Sequence, residues 1–418
     1  MKKVVTPVKT NSRSSQSMRE DCEINYKDAV FKISTTKQKL KQKEYLQTGE
    51  IPVIDQGQDI IGGYTNDKNR ILNCKLPVIV FGDHTKNVKL IKFPFAPGAD
   101  GTKVLEPKTY ISPSYLYYVT EVLVFKIKDK GYARHYQYIE KENFPLVSLP
   151  VQKAIVNKIE KLFSSLDSGI ADLKKAQDQL VIYRQAVLKK AFEGDWKTTT
   201  VGELFDFIGG GTPSKREPNY WNGNIPWASV KDIKGDYLSN TRDYITKQGL
   251  DNSSANLAKK DEIILITRIS PGKSIISEID TAINQDLKIV KPKFDTFNKF
   301  IHYLFKSTER KIVKLSSGTT VKGINLNNLK AIDIPKIELK EQHQIVQEIE
   351  SRLSVCDTVE KDIADSLQKA QALRQSILKK AFEGRLLSEE EIATCKADAA
   401  YEPASVLLEK IKAEKKQK

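Results

Sequence analysis

Leu188-Lys189-Lys190-Ala191-Phe192-Glu193-Gly194 recurs letter for letter as Leu378-Lys379-Lys380-Ala381-Phe382-Glu383-Gly384, 190 residues further on. The same offset pairs Pro145 with Pro335, Leu149 with Leu339, Gln152 with Gln342, Ile155-Val156 with Ile345-Val346 and Ile159-Glu160 with Ile349-Glu350. It also pairs Ser164, Asp167, Asp172 and Arg184-Gln185 with Ser354, Asp357, Asp362 and Arg374-Gln375, with no gap from Pro145 to Gly194. The chain is an internal duplication.

The duplicated stretch reads as a long helix with a seam. Ile159, Leu166, Leu173, Leu180 and Val187 form one row; Ile155, Leu162, Gly169, Ala176 and Tyr183 form a second. The later copy repeats them as Ile349, Cys356, Ile363, Ala370, Ile377 and Ile345, Arg352, Val359, Ser366, Leu373. This heptad spacing predicts a left-handed coiled coil, with small residues such as Gly169 admitting a close partner. Lys-Lys suits the negative C-terminal end of each helix, and Gly194 and Gly384 are expected to take left-handed caps. About 40 residues make a helix of roughly 60 Å.

Each helix follows a globular segment, in the order domain–helix–domain–helix. The first has strand-like runs at Phe31–Ile33, Ile51–Ile54, Leu76–Phe81 and Val122–Ile127. The second has them at Glu262–Thr267 and Leu287–Val290. Ile225-Pro226 followed by Lys231-Asp232-Ile233 and Gly235 echoes Ile51-Pro52 followed by Gln58-Asp59-Ile60 and Gly62, so the two segments are divergent copies. The predicted class is α+β: two globular domains separated by two long helices forming an antiparallel coiled coil, in a head-to-tail duplication. The expected boundaries are a disordered tail at 1–20, a first domain at 21–150, a first helix at 151–194, a second domain at 195–340, a second helix at 341–384 and a tail at 385–418. That last tail carries a short amphipathic helix around Glu402 to Lys412, with Pro403 in its first turn.

The 418 residues carry 68 Lys and Arg against 53 Asp and Glu, a net +15, which points to a polyanionic partner. The four cysteines, Cys22, Cys74, Cys356 and Cys395, have no metal-site or disulfide-framework spacing, which fits a reducing cytoplasm. No apolar run is long enough to span a membrane.

Catalytic motifs are missing. Gly272-Lys273-Ser274 ends like a phosphate-binding loop, but the position five before Gly272 is Thr267. No Asn/Asp-Pro-Pro-aromatic run exists for methyl transfer to an amine. Asp100 with Glu106-Pro107-Lys108 fits a nuclease centre in letters only. His84, His135, His302 and His343 are scattered. DNA contact has more support, because polar, Gly-bearing loops with Lys, Thr and Ser offer donors to phosphates and base edges. The candidates are His84, Thr85, Lys86, Lys89 and Lys103 in the first domain. In the second they are Ser214, Lys215, Arg216, Lys231, Arg268, Lys273, Thr320 and Lys322. Phe95, Trp221 and Trp227 are expected in the core.

With these runs in hand, the chain resembles the specificity subunits of type I restriction–modification enzymes. The resemblance rests on Gly210-Gly211-Thr212-Pro213-Ser214 with Tyr220-Trp221 and Ile225-Pro226-Trp227, and on Gly318-Thr319-Thr320-Val321-Lys322-Gly323-Ile324-Asn325. Ile334-Pro335 with Glu341-Gln342, the repeated heptapeptide and Glu402-Pro403-Ala404-Ser405-Val406-Leu407-Leu408-Glu409 complete it. The resemblance implies two target-recognition domains, each reading half of a split, asymmetric site on double-stranded DNA, with the helices as a spacer. It implies a non-catalytic chain without a cofactor of its own. Its partners would be two methyltransferase subunits bringing S-adenosylmethionine, and restriction/translocase subunits using ATP and Mg. Two alternatives remain open at this point: the specificity chain of another restriction class with a fused methyltransferase–nuclease partner, and a coiled-coil scaffold protein.

Overall fold

A computed structural model describes residues 22–127, 133–318 and 321–416, with the side chains of 414–416 left aside. The tail expected at 1–20 and the candidate Thr320 lie outside the described residues. Two helices dominate, Leu149–Ala191 with 43 residues and Leu339–Phe382 with 44. The chain divides into two compact units. One comprises Met1–Asp172 and Ser366–Lys418, the other Leu173–Asp365, so each takes half of each long helix.

In the first unit, Glu23–Asn25 pairs antiparallel with Asn143–Pro145 and closes the globular part onto the helix. A four-stranded antiparallel sheet runs in the order Val30–Ile33, Thr102–Pro107, Val78–Gly82, Val88–Ile91. A second sheet places Ile51–Ile54 between antiparallel Gly63–Thr65 and parallel Ala96–Pro97. The helix Pro113–Lys126 covers the larger sheet through buried Tyr115, Leu116, Val119 and Leu123.

The second unit repeats this wiring. Lys197–Thr200 pairs with Asp333–Lys336. Phe205–Gly209, Leu287–Pro292, Ile263–Ile266 and Ser274–Ser277 take the order of the first sheet, with Tyr237–Leu238 added at the edge. Trp221–Ala228 lies between antiparallel Asp243–Ile245 and parallel Thr281–Ile283, and Asn256–Ala258 is added at the edge beside Thr281–Ile283. Asn298–Leu315 takes the place of Pro113–Lys126. The echo between Ile51-Pro52 and Ile225-Pro226 is therefore one strand built twice.

Four sequence expectations change. Val122–Ile127 belongs to a helix, because Pro113 opens that helix at N1/N2 and Leu116, Val119, Thr120 and Leu123 fall on one helical face rather than alternating. The first heptad row does face inward: Ile159 and Val187 are buried, as are Ile349, Cys356, Ile363, Ala370 and Ile377. The second row faces inward only at its start, where Ile155 and Ile345 are buried; further along, Gly169, Tyr183, Arg352, Val359 and Leu373 are exposed. Beyond those two its place is taken four residues after the first row rather than three, by Phe163, Ile170, Arg184, Leu353, Leu367 and Arg374. A Cβ on Gly169 would meet nothing within 4 Å, so that glycine admits no partner.

The two arginines explain the shifted row. In the first unit Arg374 pairs with Asp167 and lies 4.3 Å from the Phe163 ring centroid. In the second, Arg184 Nη2 stands 2.7 Å from Asp357 Oδ1 and 2.8 Å from Glu360 Oε2. At the 190-residue offset these are the same pair with the helices exchanged, and in both units the two helix halves run antiparallel. The helix ends differ. Gly384 takes the left-handed cap at φ 71°. Gly194 has no positive φ; its missing Cβ instead makes room for the Trp196 ring, 2.7 Å from where that atom would stand.

Gln152 and Gln342 fasten each globular part to its helix, and both are fully buried. Gln152 Nε2 donates to Tyr110 O (2.9 Å) and Val147 O (2.8 Å), and its Oε1 accepts from Ser112 N–H (2.7 Å). Gln342 Nε2 donates to Asp295 O (3.1 Å) and Ile337 O (2.9 Å). After Gly384 the chain forms two helices, Glu389–Lys396 and Ala404–Lys416. Ser388 and Glu391 cap the first reciprocally. The amphipathic helix expected near Glu402 buries Ala404 and places Leu407 and Ile411 in the core of the first unit, so its apolar face is already committed.

Candidate nucleic-acid interface

In each unit, loops from several strand ends and the segment that follows the covering helix are tied together by hydrogen bonds. In the first unit the loop after Ile51–Ile54 carries Gln56. Its carbonyl accepts from Thr85 Oγ1 (2.5 Å) and Asn87 Nδ2 (3.0 Å), and its Oε1 from His84 N–H (3.3 Å). Asp83 is buried beneath. Its N–H donates to Gly101 O (2.7 Å), its carbonyl accepts from His135 N–H (2.8 Å), and its Oδ1 accepts from Tyr136 N–H (2.9 Å).

This arrangement sorts the first-domain candidates. His84, Thr85 and Lys86 share one turn, with Lys86 at φ 63°. Lys103 is half-buried, its Nζ 3.3 Å from Asp83 Oδ2. Lys89 is turned inward at 6% exposure. Its ammonium donates to Asp55 O (2.8 Å) and Asp59 O, and burial pulls its pKa down while Asp55 and Asp59 resist. Lys89 holds the 55–59 loop, and the expectation that it meets a polyanion is corrected: a strand's inward face placed it there. Gln56 and Asp83 were missed because nothing local marks a loop residue that bonds 18 to 53 positions away.

The second unit builds the edge from the Gly-Gly-Thr-Pro run. A Cβ on Gly210 would stand 2.3 Å from Ile283 O and Asn284 O, and one on Gly211 2.1 Å from Ser254 Oγ, so two glycines are needed for the chain to pass. Trp227 Nε1 donates to Gly211 O (3.0 Å) and Trp221 Nε1 to Ser214 O (3.1 Å), with the two rings edge-to-face at 5.3 Å. The tryptophans thus fix the loop that displays Ser214, Lys215 and Arg216, all exposed. Phe95 and Trp227 are core residues, as expected.

Neighbouring loops close on the same edge. Thr267 N–H donates to Asp286 O (2.9 Å), Ile324 N–H to Thr267 O (2.9 Å) and Ile269 N–H to Lys322 O (2.8 Å). Arg268 Nη1 lies 3.3 Å from Asp286 Oδ1. Thr212 Oγ1 donates to Gln285 Oε1 (2.7 Å). Arg268, Lys273, Lys322 and Lys231 are all exposed. Lys231 sits on a short turn stapled by Ser229 and Asp232. Gln285 and Asp286 were not singled out by the sequence.

The family model for the type I restriction modification DNA specificity domain matches residues 193–369. The EcoR124I/EcoR124II specificity subunit of Escherichia coli is 30% identical over 361 residues, covering 81% of this chain and 87% of that protein. The chain belongs to the type I restriction enzyme specificity subunits. The StySPI specificity subunit of Salmonella potsdam is 28% identical over 348 residues, covering 74% of this chain and 73% of its own length. The solved HsdS subunit from Thermoanaerobacter tengcongensis shares the fold, with a TM-score of 0.58 at 18% identity, covering 87% of this chain and 97% of that one. A chain from a structure of a type I system, titled for complex assembly and conformational transition, reaches a TM-score of 0.66 at 18% identity, covering 87% of this chain and 98% of that one.

Among the described residues, no group of three or more His, Cys, Asp or Glu is placed to hold a metal ion. Asp100 is 92% exposed and Glu106 Oε2 accepts from Lys75 N–H, so the nuclease-like letters form no centre. Among the described residues no helix is long and apolar enough to cross a membrane.

Proposed function

We propose that this specificity subunit reads a split, asymmetric site on double-stranded DNA, each unit addressing one half-site through its loop edge. The observation that carries this is one backbone scaffold built twice with different side chains at its tips. Lys86 and Lys103 in the first unit and Lys215, Arg216, Lys231, Lys273 and Lys322 in the second serve the phosphates. Binding therefore falls steeply with salt, since each neutralised phosphate releases counterions.

The long helices set the spacing between half-sites. Their exposed Val181, Ile182 and Val355 are docking positions for two methyltransferase subunits. Catalysis belongs to the partners: methyltransferase subunits that use S-adenosylmethionine, and restriction/translocase subunits that use ATP and Mg. The assembly works in the cytoplasm. The test is a map of methylated adenines in DNA from cells expressing this chain with its methyltransferase partner. A split motif that vanishes when the chain is omitted is the expected result. An active methyltransferase bound to the chain but producing no motif would favour a scaffold.

A further inference from the structure

Asp286 is the pivot of the second unit's loop edge. Its side chain is only 12% exposed, and it is locked in place. Asn284 Nδ2 donates to its Oδ2 (3.2 Å), and its own N–H donates to Asn284 Oδ1 (3.1 Å). Two exposed side chains lean on this carboxylate: Arg268, with Nη1 3.3 Å from Oδ1, and Gln285, with Nε2 3.5 Å from Oδ2.

The chemistry of the anchors orients the Gln285 amide. A carboxylate only accepts, so the amide nitrogen faces Asp286 and the oxygen faces the Thr212 hydroxyl. Each anchor occupies one hydrogen-bonding position of the amide. One N–H and one oxygen lone pair of the amide remain. That is the complement of adenine's major-groove edge, where N7 accepts and N6–H2 donates. Arg268 is drawn to Asp286 by charge rather than by a hydrogen bond, since Asp286 Oδ1 has no hydrogen-bond partner, and its side chain is 54% exposed. A guanidinium held by a carboxylate presents the fork that fits guanine O6 and N7.

A plain surface ion pair would explain Arg268 alone. It does not explain why the scaffold is shared while the tips differ. In the first unit Asp83 makes the two backbone bonds that Thr267 makes in the second, to Gly101 O and from His135 N–H. That correspondence sets His84 where Arg268 stands and Asp100 where Gln285 stands. Residues that merely shaped the turn would not need to change type with the backbone bonds kept.

We propose that Arg268 and Gln285, held by Asp286 and Thr212, are the base-reading pair of the second unit, Arg268 for a guanine and Gln285 for an adenine. This rests on the chain being a DNA-reading subunit and adds which bases it reads. Asp286 and Thr212 are positioning residues.

The experiment compares methylation maps of the wild-type chain and the Arg268→Ala and Gln285→Ala variants, each expressed with the methyltransferase partner. Arg268→Ala is expected to relax one G·C position and Gln285→Ala one A·T position, both in the same half-site. Discrimination at each should fall about tenfold to hundredfold, the size of one bidentate base contact. Unchanged motifs, or relaxation at other bases, overturn the assignment. A wild-type chain that yields no motif fails the underlying DNA-reading function instead. Where a variant yields no methylation, the purified wild-type complex is titrated with duplexes carrying 7-deazaguanine or 7-deazaadenine at each purine of both half-sites. One sensitive guanine and one sensitive adenine within a single half-site support the pair; no sensitive position overturns it.

Discussion

Gln152 and Gln342 occupy the same place in the two units, yet they are satisfied differently. Gln152 uses both ends of its amide, whereas the buried Oε1 of Gln342 has no hydrogen-bond partner. The reverse holds at the loop edges. The second unit has two tryptophans bracing its Gly-Gly-Thr-Pro loop, while the first braces its edge through Gln56, Asp83 and buried Lys89. The contrast teaches that the duplicated scaffold keeps its glutamine anchor where the chain meets the helix and is rebuilt at its loop edges.

The sharpest way to break the comparison acts on what the units share. Inserting one heptad into both long helices adds about 10 Å of helix, equivalent to roughly three base pairs at 3.4 Å each. Methylation of native sites should be lost and sites with a spacer longer by about that amount gained, as read by adenine mapping. An unchanged spacer would refute the ruler.

Next in size are the two anchors. Gln152→Ala strands Ser112 N–H, Tyr110 O and Val147 O in the interior and should cost about 3 kcal/mol or more. Gln342→Ala strands two carbonyls and removes an already unpartnered oxygen, so about 2 kcal/mol is expected. Peptide-resolved hydrogen exchange in urea would assign each loss to its unit; equal losses would show that the amide bonds do not set the difference.

Trp227→Phe keeps the ring packing and deletes one hydrogen bond to Gly211 O, worth about 1 kcal/mol. Faster amide exchange around Gly210 and weaker discrimination in one half-site should follow, with the first unit unaffected.

The smallest expected effect is a difference in acid response. The His302 ring and the Lys306 ammonium beside Asp236 hold that carboxyl well below its ordinary range; His302 Nε2 stands at 3.6 Å, while Lys306 Nζ makes two 2.8 Å bonds. A depressed carboxyl contributes stability above its unfolded pKa of 3.8 and loses it as pH falls below that value. In the first unit, burial pushes Glu121 up despite Arg374. Its neutral form is the favoured one, so that contribution is full below 4.5 and is lost as pH rises through the raised value. Unit two should therefore loosen first as pH falls below about 4, by under ~1 kcal/mol because Asp236 is half exposed. Asp236→Asn should remove the difference in an acid unfolding series; persistence of the difference would point to other groups.

Much of this architecture was legible because helical periodicity and exact repetition are local signals. Ile159, Leu166, Leu173, Leu180 and Val187 fixed the inward face without any knowledge of a partner. The second row was misassigned because a 3–4 pattern does not say whether the flanking row lies three or four residues on, and the deciding contacts are ion pairs of Arg184 and Arg374. Val122–Ile127 looked like a strand because its last residues are β-branched and aromatic; the helix signal begins nine residues earlier at Pro113. At the loop edge, exposed Lys and Arg stood out, but Lys89 could be placed only by its strand's register. Asp286 gained its role only when the fold brought it to Arg268, 18 residues before it.

The central claim is that each unit reads its own half-site. Adenine methylation mapped with a chain carrying Lys215→Glu and Lys322→Glu, both on the second unit's edge, tests it most directly. The account predicts that one half of the motif degrades, with methylation falling, while the other half keeps every base. Equal degradation of both halves would contradict it.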